Sequence, residues 1–121
     1  MTADAAVHGI REIDPTGSIG VISSDPDPPY DRPPLTKALW KGKPFDSIWR
    51  HTEAKSVNLN LGRAVTSIDV PSKTVVDDRQ DKHTFDKLLL ATGGSPRRLP
   101  FGDKHIIYFR TAADYRWWYD C

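Results

Sequence analysis

The chain has 121 residues, room for one small domain and too few for two. Its 17 basic and 16 acidic side chains leave a net charge of +1, which gives no electrostatic case for nucleic acid or for an anionic membrane surface. The single cysteine, Cys121, is the last residue, which excludes an intrachain disulfide, a C-x-x-C or C-x4-C redox pair and a cysteine zinc cluster.

From Thr2 to Ile13 the pattern is helical: Ala3, Ala6, Val7, Ile10 and Ile13 recur at spacings of three and four and form one apolar stripe. Asp14-Pro15-Thr16-Gly17 ends that helix. Ser18 to Ser23 reads as a strand centred on Ile19, Val21 and Ile22. Residues 25–34, DPDPPYDRPP, hold five prolines and form neither helix nor central strand, so an extended loop or linker is expected. Leu35 to Trp40 suits a short helix stopped by Gly42, and Phe45 to Glu53 a further helical turn or two. Val57 to Leu61 reads as a strand. Ala64–Val70, Thr74–Val76 and His83–Phe85 are β-patterned runs separated by turns at Pro71-Ser72 and near Arg79 to Asp81, the signature of an antiparallel meander. Lys87 to Thr92 is continuously apolar in its middle, as expected for a strand covered on both faces. Ile106 to Tyr108 reads as a last short strand, and Thr111 to Tyr119 as the start of a helix. The order implies an α/β domain with an antiparallel insertion.

His8, His51, His83 and His105 lie scattered without metal-ligand spacing, so no metal site is expected. The longest apolar run, Leu88-Leu89-Leu90-Ala91, is far short of a membrane span. The opening Met1-Thr2-Ala3-Asp4 lacks a signal-peptide profile, and a cytoplasmic chain is the expectation.

Three segments carry candidate chemistry. The proline loop presents Arg32 and Lys37 five residues apart; prolines fix φ and reduce the entropy lost on ordering, which suits an anionic or electron-rich ligand, although a solvated linker fits the composition too. In the second segment, Leu88 to Arg98, small residues at the end of a buried strand, Ala91-Thr92-Gly93, let a cofactor approach the backbone closely, with Arg97 and Arg98 following; a plain strand-to-turn exit reads equally well. The third is Asp25, just past Ser24, where a dinucleotide fold places a carboxylate for the adenosine ribose and an ordinary chain places a turn residue.

Taken together, PYDRPPLTK (29–37), KLLLATGGSPRRLP (87–100) and IIYFRTAADY (106–115) closely resemble the flavoprotein half of bacterial ferredoxin reductases and of the related apoptosis-inducing-factor-like enzymes, a branch of the FAD-dependent pyridine nucleotide-disulfide oxidoreductases. The resemblance runs in order through essentially the whole chain. It implies a doubly wound, Rossmann-like FAD/NAD(P)-binding domain with an antiparallel β-meander. It implies that Arg32 and Lys37 contact FAD, with Lys37 close to the reactive edge of the flavin. It implies that Val65 lies with its backbone against the adenine, and that Ala91, Thr92, Gly93 and Arg97 belong to the FAD-contacting segment. The family's acidic pair for the ribose is here Ser24-Asp25. The implied function is hydride transfer from NAD(P)H to FAD and onward to a ferredoxin or similar acceptor, a branch that needs no redox disulfide.

Such a domain opens with a strand and a G-x-G-x-x-G/A turn, and neither is visible. Ala3 would be the last motif position, and Asp25 lies 22 residues beyond it, close to the spacing of about 20 for the ribose acid. The expectation is therefore a partial FAD-binding domain over residues 1–121, with the NAD(P)H-binding and C-terminal domains absent. Such a chain alone would be inactive, and poorly folded or self-associated through exposed strand edges. A non-catalytic nucleotide- or partner-binding remnant and a non-functional gene fragment are the alternatives.

Overall fold

The computed structural model describes residues 1–121. The chain divides into two compact units, Met1–Tyr30 with Arg50–Ala91, and Asp31–Trp49 with Thr92–Cys121. No helix is long and apolar enough to cross a membrane.

The first unit opens with α1, Thr2–Ile13. Its inward face is Val7, with Ala3 and Ala6 half-buried, and the expected stripe stops there: Ile10 and Ile13 are exposed. Polar bonds hold the end of the helix instead. The Arg11 guanidinium donates to the carbonyls of Lys55 at 2.9 Å, Gly17 at 2.6 Å and Ser56 at 3.0 Å. Strand β1, Ile19–Ser23, pairs in parallel with β2, Val57–Leu61, from Ile19 opposite Val57 to Ser23 opposite Leu61. A parallel pair needs a long crossover, which residues 24–56 supply. Beyond β2, the Gly62 N–H donates to the Asp25 carbonyl at 3.1 Å and the Arg63 N–H to that of Ser23 at 2.9 Å. The exit of β2 thus grips the start of the proline loop.

The meander forms as expected: β3 (Val65–Asp69), β4 (Thr74–Asp77) and β5 (Lys82–Thr84) pair antiparallel in chain order. An irregularity between Val65 and Ser67 turns the Thr66 hydroxyl onto the Val76 carbonyl at 3.2 Å. The second turn is built around the fully buried carboxylate of Asp77. It accepts from His83 Nε2 at 3.0 Å, from Arg63 Nη1 at 2.9 Å, and from the N–H groups of Arg79 and Asp81 at 2.9 and 3.0 Å. The His83 bond, then those from Arg63 and the two amides, outweigh burial and hold the Asp77 carboxyl far below the usual carboxylate range.

A depressed folded pKa means that, as the pH falls, the unfolded chain takes up its proton first. The contribution of Asp77 is therefore complete above about pH 4–5, near and above the unfolded value of about 3.9, and is lost on acidification below it. Asp77→Asn is expected to lower the urea midpoint at pH 7, and its gap to the parent is expected to narrow measurably, without closing, by pH 3. Equal separation of the two midpoints at both pH values would refute this.

Lys87–Thr92 departs from its expectation. It forms no strand and no backbone hydrogen bond, and Leu89 and Leu90 are 62% and 65% exposed. An apolar run becomes a covered strand only when a neighbour takes its amides and carbonyls, and none of the five strands lies alongside it. Ile106–Tyr108 likewise forms no strand.

In the second unit, the helix expected over Leu35–Trp40 resolves into two 3₁₀ turns, Pro33–Thr36 and Ala38–Lys41, interrupted at Lys37 with φ −133° and ψ −91°. The Pro33-Pro34 entry favours such a short turn, since it removes two amide donors. Gly42, at φ +90°, ends the second turn as expected. Phe45–Glu53 also resolves into two 3₁₀ turns, Phe45–Ile48 in this unit and Thr52–Lys55 in the first.

Helix α2, Ala112–Tyr119, starts at a reciprocal cap. The Asp114 N–H donates to Thr111 Oγ1 at 3.2 Å, while Asp114 Oδ2 accepts the amides of Thr111 at 2.7 Å and Arg110 at 2.9 Å. The buried Tyr115 then anchors an aromatic cluster, with Trp40 edge-on at 5.3 Å and Phe45 and Tyr119 stacked at 5.6 Å each. Trp117 and Trp118 are exposed and lie against each other at 6.3 Å. Thr111→Ala removes the acceptor for the Asp114 amide and is expected to cost about 1 kcal/mol in a denaturant titration; a change below about 0.3 kcal/mol would contradict the role of this cap.

Candidate functional site

The expected site residues fall in both units. In the first unit are Ser24, Asp25, Val65 and Ala91; in the second are Arg32, Lys37, Thr92, Gly93 and Arg97.

Ser24 is exposed immediately after β1, and Asp25 is half-buried. The carboxylate of Asp25 is engaged within its own loop: Oδ1 accepts the Asp27 N–H at 2.9 Å, and Oδ2 accepts the hydroxyl of the buried Tyr30 at 3.2 Å. The Asp25 N–H donates to Ser23 Oγ at 3.2 Å. Each carboxylate oxygen keeps acceptor capacity beyond these bonds. Val65 opens β3 opposite Asp77 and is exposed, and Ala91 is exposed on the irregular segment.

The proline loop is anchored from below. Leu35 is buried, its amide donates to the Arg32 carbonyl at 3.0 Å, and its own carbonyl accepts Trp40 Nε1 at 2.7 Å. Arg32 precedes the Pro33–Thr36 turn and Lys37 follows it, and both are exposed. Lys37 makes no ion pair, so its charge stands open to an anionic ligand.

On the ATG segment, Thr92, Gly93 and Arg97 are exposed. Gly93 has φ +65°, a conformation that costs an L side chain roughly 1–2 kcal/mol. A side chain there would also begin 3.7 Å from Arg110 Nη2. Arg110 is half-buried, directly precedes the α2 cap, and brings a second guanidinium to the segment that carries Arg97. Within IIYFRTAADY, Arg110 has no signal of its own in the sequence. Its place beside the glycine turn comes from a chain reversal between residues 93 and 110, which no local pattern encodes.

Asp4 is a second residue that sequence reasoning misses. Its side chain is fully buried in the first turn of α1, where it accepts Arg50 Nε at 2.5 Å and Thr52 Oγ1 at 2.6 Å, with His8 Nε2 at 3.5 Å. Burial alone would raise this carboxyl, but the bonds from Thr52 and Arg50 prevail and hold it below the usual range. The one available signal is its spacing, three residues before Val7 on the inward face.

Comparisons with known proteins agree on one family. Residues 4–118 match the family model described as pyridine nucleotide-disulphide oxidoreductase. The mitochondrial apoptosis-inducing factor 1 of Dictyostelium discoideum is 31% identical over 141 residues, an alignment that covers 96% of this chain and 26% of that protein. The rubredoxin-NAD(+) reductase of Pseudomonas putida is 33% identical over 117 residues, covering 90% of this chain and 30% of the relative. Among solved structures, the covalent putidaredoxin reductase–putidaredoxin complex superposes with a TM-score of 0.73 at 31% identity, covering 81% of this chain and 24% of that one. The α/β architecture is thus that of part of a Rossmann-like FAD/NAD-binding domain of reductases. The chain spans between a quarter and a third of the length of the curated relatives it matches.

Proposed function

The chain belongs to the pyridine nucleotide-disulphide oxidoreductase family, and on that premise we propose that it is the FAD-binding part of an NAD(P)H oxidoreductase of the ferredoxin-reductase type. The observation that carries the proposal is the proline loop, which sets Arg32 and Lys37 on either side of a turn seated on the buried Leu35.

The residues present fit FAD in kind. Asp25 offers a carboxylate for ribose hydroxyls, with Ser24 exposed beside it. Val65, which opens β3, offers backbone to the adenine. Arg32 and Lys37 offer charge to the diphosphate and flavin half, with Lys37 nearest the ring edge. Ala91, Thr92 and Gly93 offer a segment of small residues, and Arg97 and Arg110 bring cations to it. When bound, FAD supplies the two-electron chemistry that no side chain here provides. NAD(P)H is the proposed donor to the whole protein, and a ferredoxin-like carrier is the proposed acceptor, by analogy with the putidaredoxin partnered in the similar complex.

A second reading, a non-catalytic nucleotide-binding module, is favoured by Ser24, which stands where the family places a carboxylate. Gel filtration of the chain with FAD and, in parallel, with ADP separates the two. Co-eluting FAD with much weaker retention of ADP supports the FAD-binding part of an oxidoreductase. Equal retention of FAD and ADP supports the nucleotide-binding module, and elution without either contradicts both.

A further inference from the structure

We propose that Tyr30 is a positioning residue for the nucleotide: its hydroxyl orients the Asp25 carboxylate so that an adenosine ribose is read by a pre-set acceptor rather than by a mobile one. This rests on the reading of Asp25 as a ribose ligand.

The geometry is specific. Tyr30 is 4% exposed, so its ring is fixed, and its hydroxyl donates to Asp25 Oδ2 at 3.2 Å. The other oxygen, Oδ1, accepts the Asp27 N–H at 2.9 Å. The Asp25 backbone is held from both sides, its N–H on Ser23 Oγ at 3.2 Å and its carbonyl on the Gly62 N–H at 3.1 Å. Next to Tyr30, the Pro29 carbonyl accepts the Arg50 N–H at 3.2 Å. A carboxylate in a loop would ordinarily sample several rotamers, each of which a ligand must reject on binding. Here two donors, one on each oxygen, select one orientation while the remaining lone pairs stay available. The arrangement also answers the replacement of the first ribose acid by Ser24: with a single carboxylate left, its orientation carries more of the recognition. The tyrosine of PYDRPPLTK thereby acquires a role distinct from that of the cations in the same motif.

The test uses the 121-residue chain with FAD, ADP and 2′-deoxy-ADP as probes, comparing the parent with Tyr30→Phe, Asp25→Asn and the double variant. Tyr30→Phe keeps the buried ring and is expected to bind FAD and ADP about fivefold more weakly, about 1 kcal/mol by the value of one hydrogen bond. It is also expected to lose most of the preference for ADP over 2′-deoxy-ADP, a change that a merely structural role would not produce. Adding Tyr30→Phe to Asp25→Asn is expected to cause no further loss, because the two act as a unit. Parental affinity and discrimination in Tyr30→Phe would overturn the proposal, as would independent, additive losses or a variant that no longer melts cooperatively. If the parent binds none of the three probes, the reading of Asp25 itself fails and the proposal falls with it.

Discussion

Asp4→Ala is expected to lower the stability of the chain by about 3 kcal/mol, more than the loss of a helix cap or of a single exposed ion pair. The carboxylate is fully buried and serves two acceptor roles at once, for Arg50 Nε at 2.5 Å and Thr52 Oγ1 at 2.6 Å. Alanine leaves the Thr52 hydroxyl, which is itself fully buried, without this acceptor and removes the carboxylate facing the Arg50 guanidinium. Breaking a buried pair from one side costs about 3–5 kcal/mol. The Arg50 side chain keeps 32% of its exposure, so water compensates part of the loss and the low end applies. The bond also ties α1 to the 52–55 turn, so the effect should reach the β1–β2 pair that both elements flank. Asp4→Asn, which keeps acceptor capacity without the charge, is expected to cost about half as much. Urea unfolding reads both, as a shift in midpoint with an unchanged slope. A loss under about 0.5 kcal/mol in Asp4→Ala would mean that this network is decoration on a fold held elsewhere.

The second large effect falls on ligand binding. Replacing Arg32 and Lys37 together by alanine is expected to weaken FAD binding about 30-fold, roughly 2 kcal/mol from two partly solvated charge contacts. Each single variant should show about a fivefold to tenfold loss. The anchors of the loop, Leu35 and the Trp40 bond to its carbonyl, remain in place. The far-UV circular dichroism and melting midpoint should therefore stay as in the parent. Fluorescence quenching of FAD gives the affinities. Unchanged binding in the double variant would remove the proline loop from the site, and with it the main support for a flavin on this chain.

Where a segment's state depends on its own residues, local pattern is a sufficient guide. Helix α1, strands β1 and β2 and the three-stranded meander all appear within a residue or two of their expected bounds, because periods of 3.6 and 2 and the turns at Pro71-Ser72 and Arg79 to Asp81 are local signals. Lys87–Thr92 fails for the complementary reason. Three consecutive leucines describe what a strand would bury, but not whether another strand lies beside it. The 3₁₀ turns at 33–36 and 38–41 replace an expected helix because the proline pair limits regular amide bonding at the start, a preference weaker than tertiary packing and difficult to weigh in advance.

The candidate site divides along the same line. Arg32, Lys37 and Arg97 are legible because charge within a recognisable motif is itself a sequence property. Arg110 beside Gly93, Tyr30 on Asp25, Asp4 with Arg50 and Asp77 with Arg63 are not, since each depends on how far the chain returns in space. The separation is 46 residues for Asp4 and Arg50 and 14 for Arg63 and Asp77. Asp25 shows the intermediate case: its position after β1 is readable, while its engagement by the tyrosine of the same motif is not.

The most direct test of flavin binding by this chain is an equilibrium titration of the purified protein with FAD, followed by calorimetry and flavin fluorescence at fixed ionic strength. Saturable binding with a stoichiometry near one, weakened by Arg32→Ala/Lys37→Ala, is the expected result. A soluble, cooperatively melting chain that shows no saturable FAD binding would contradict it.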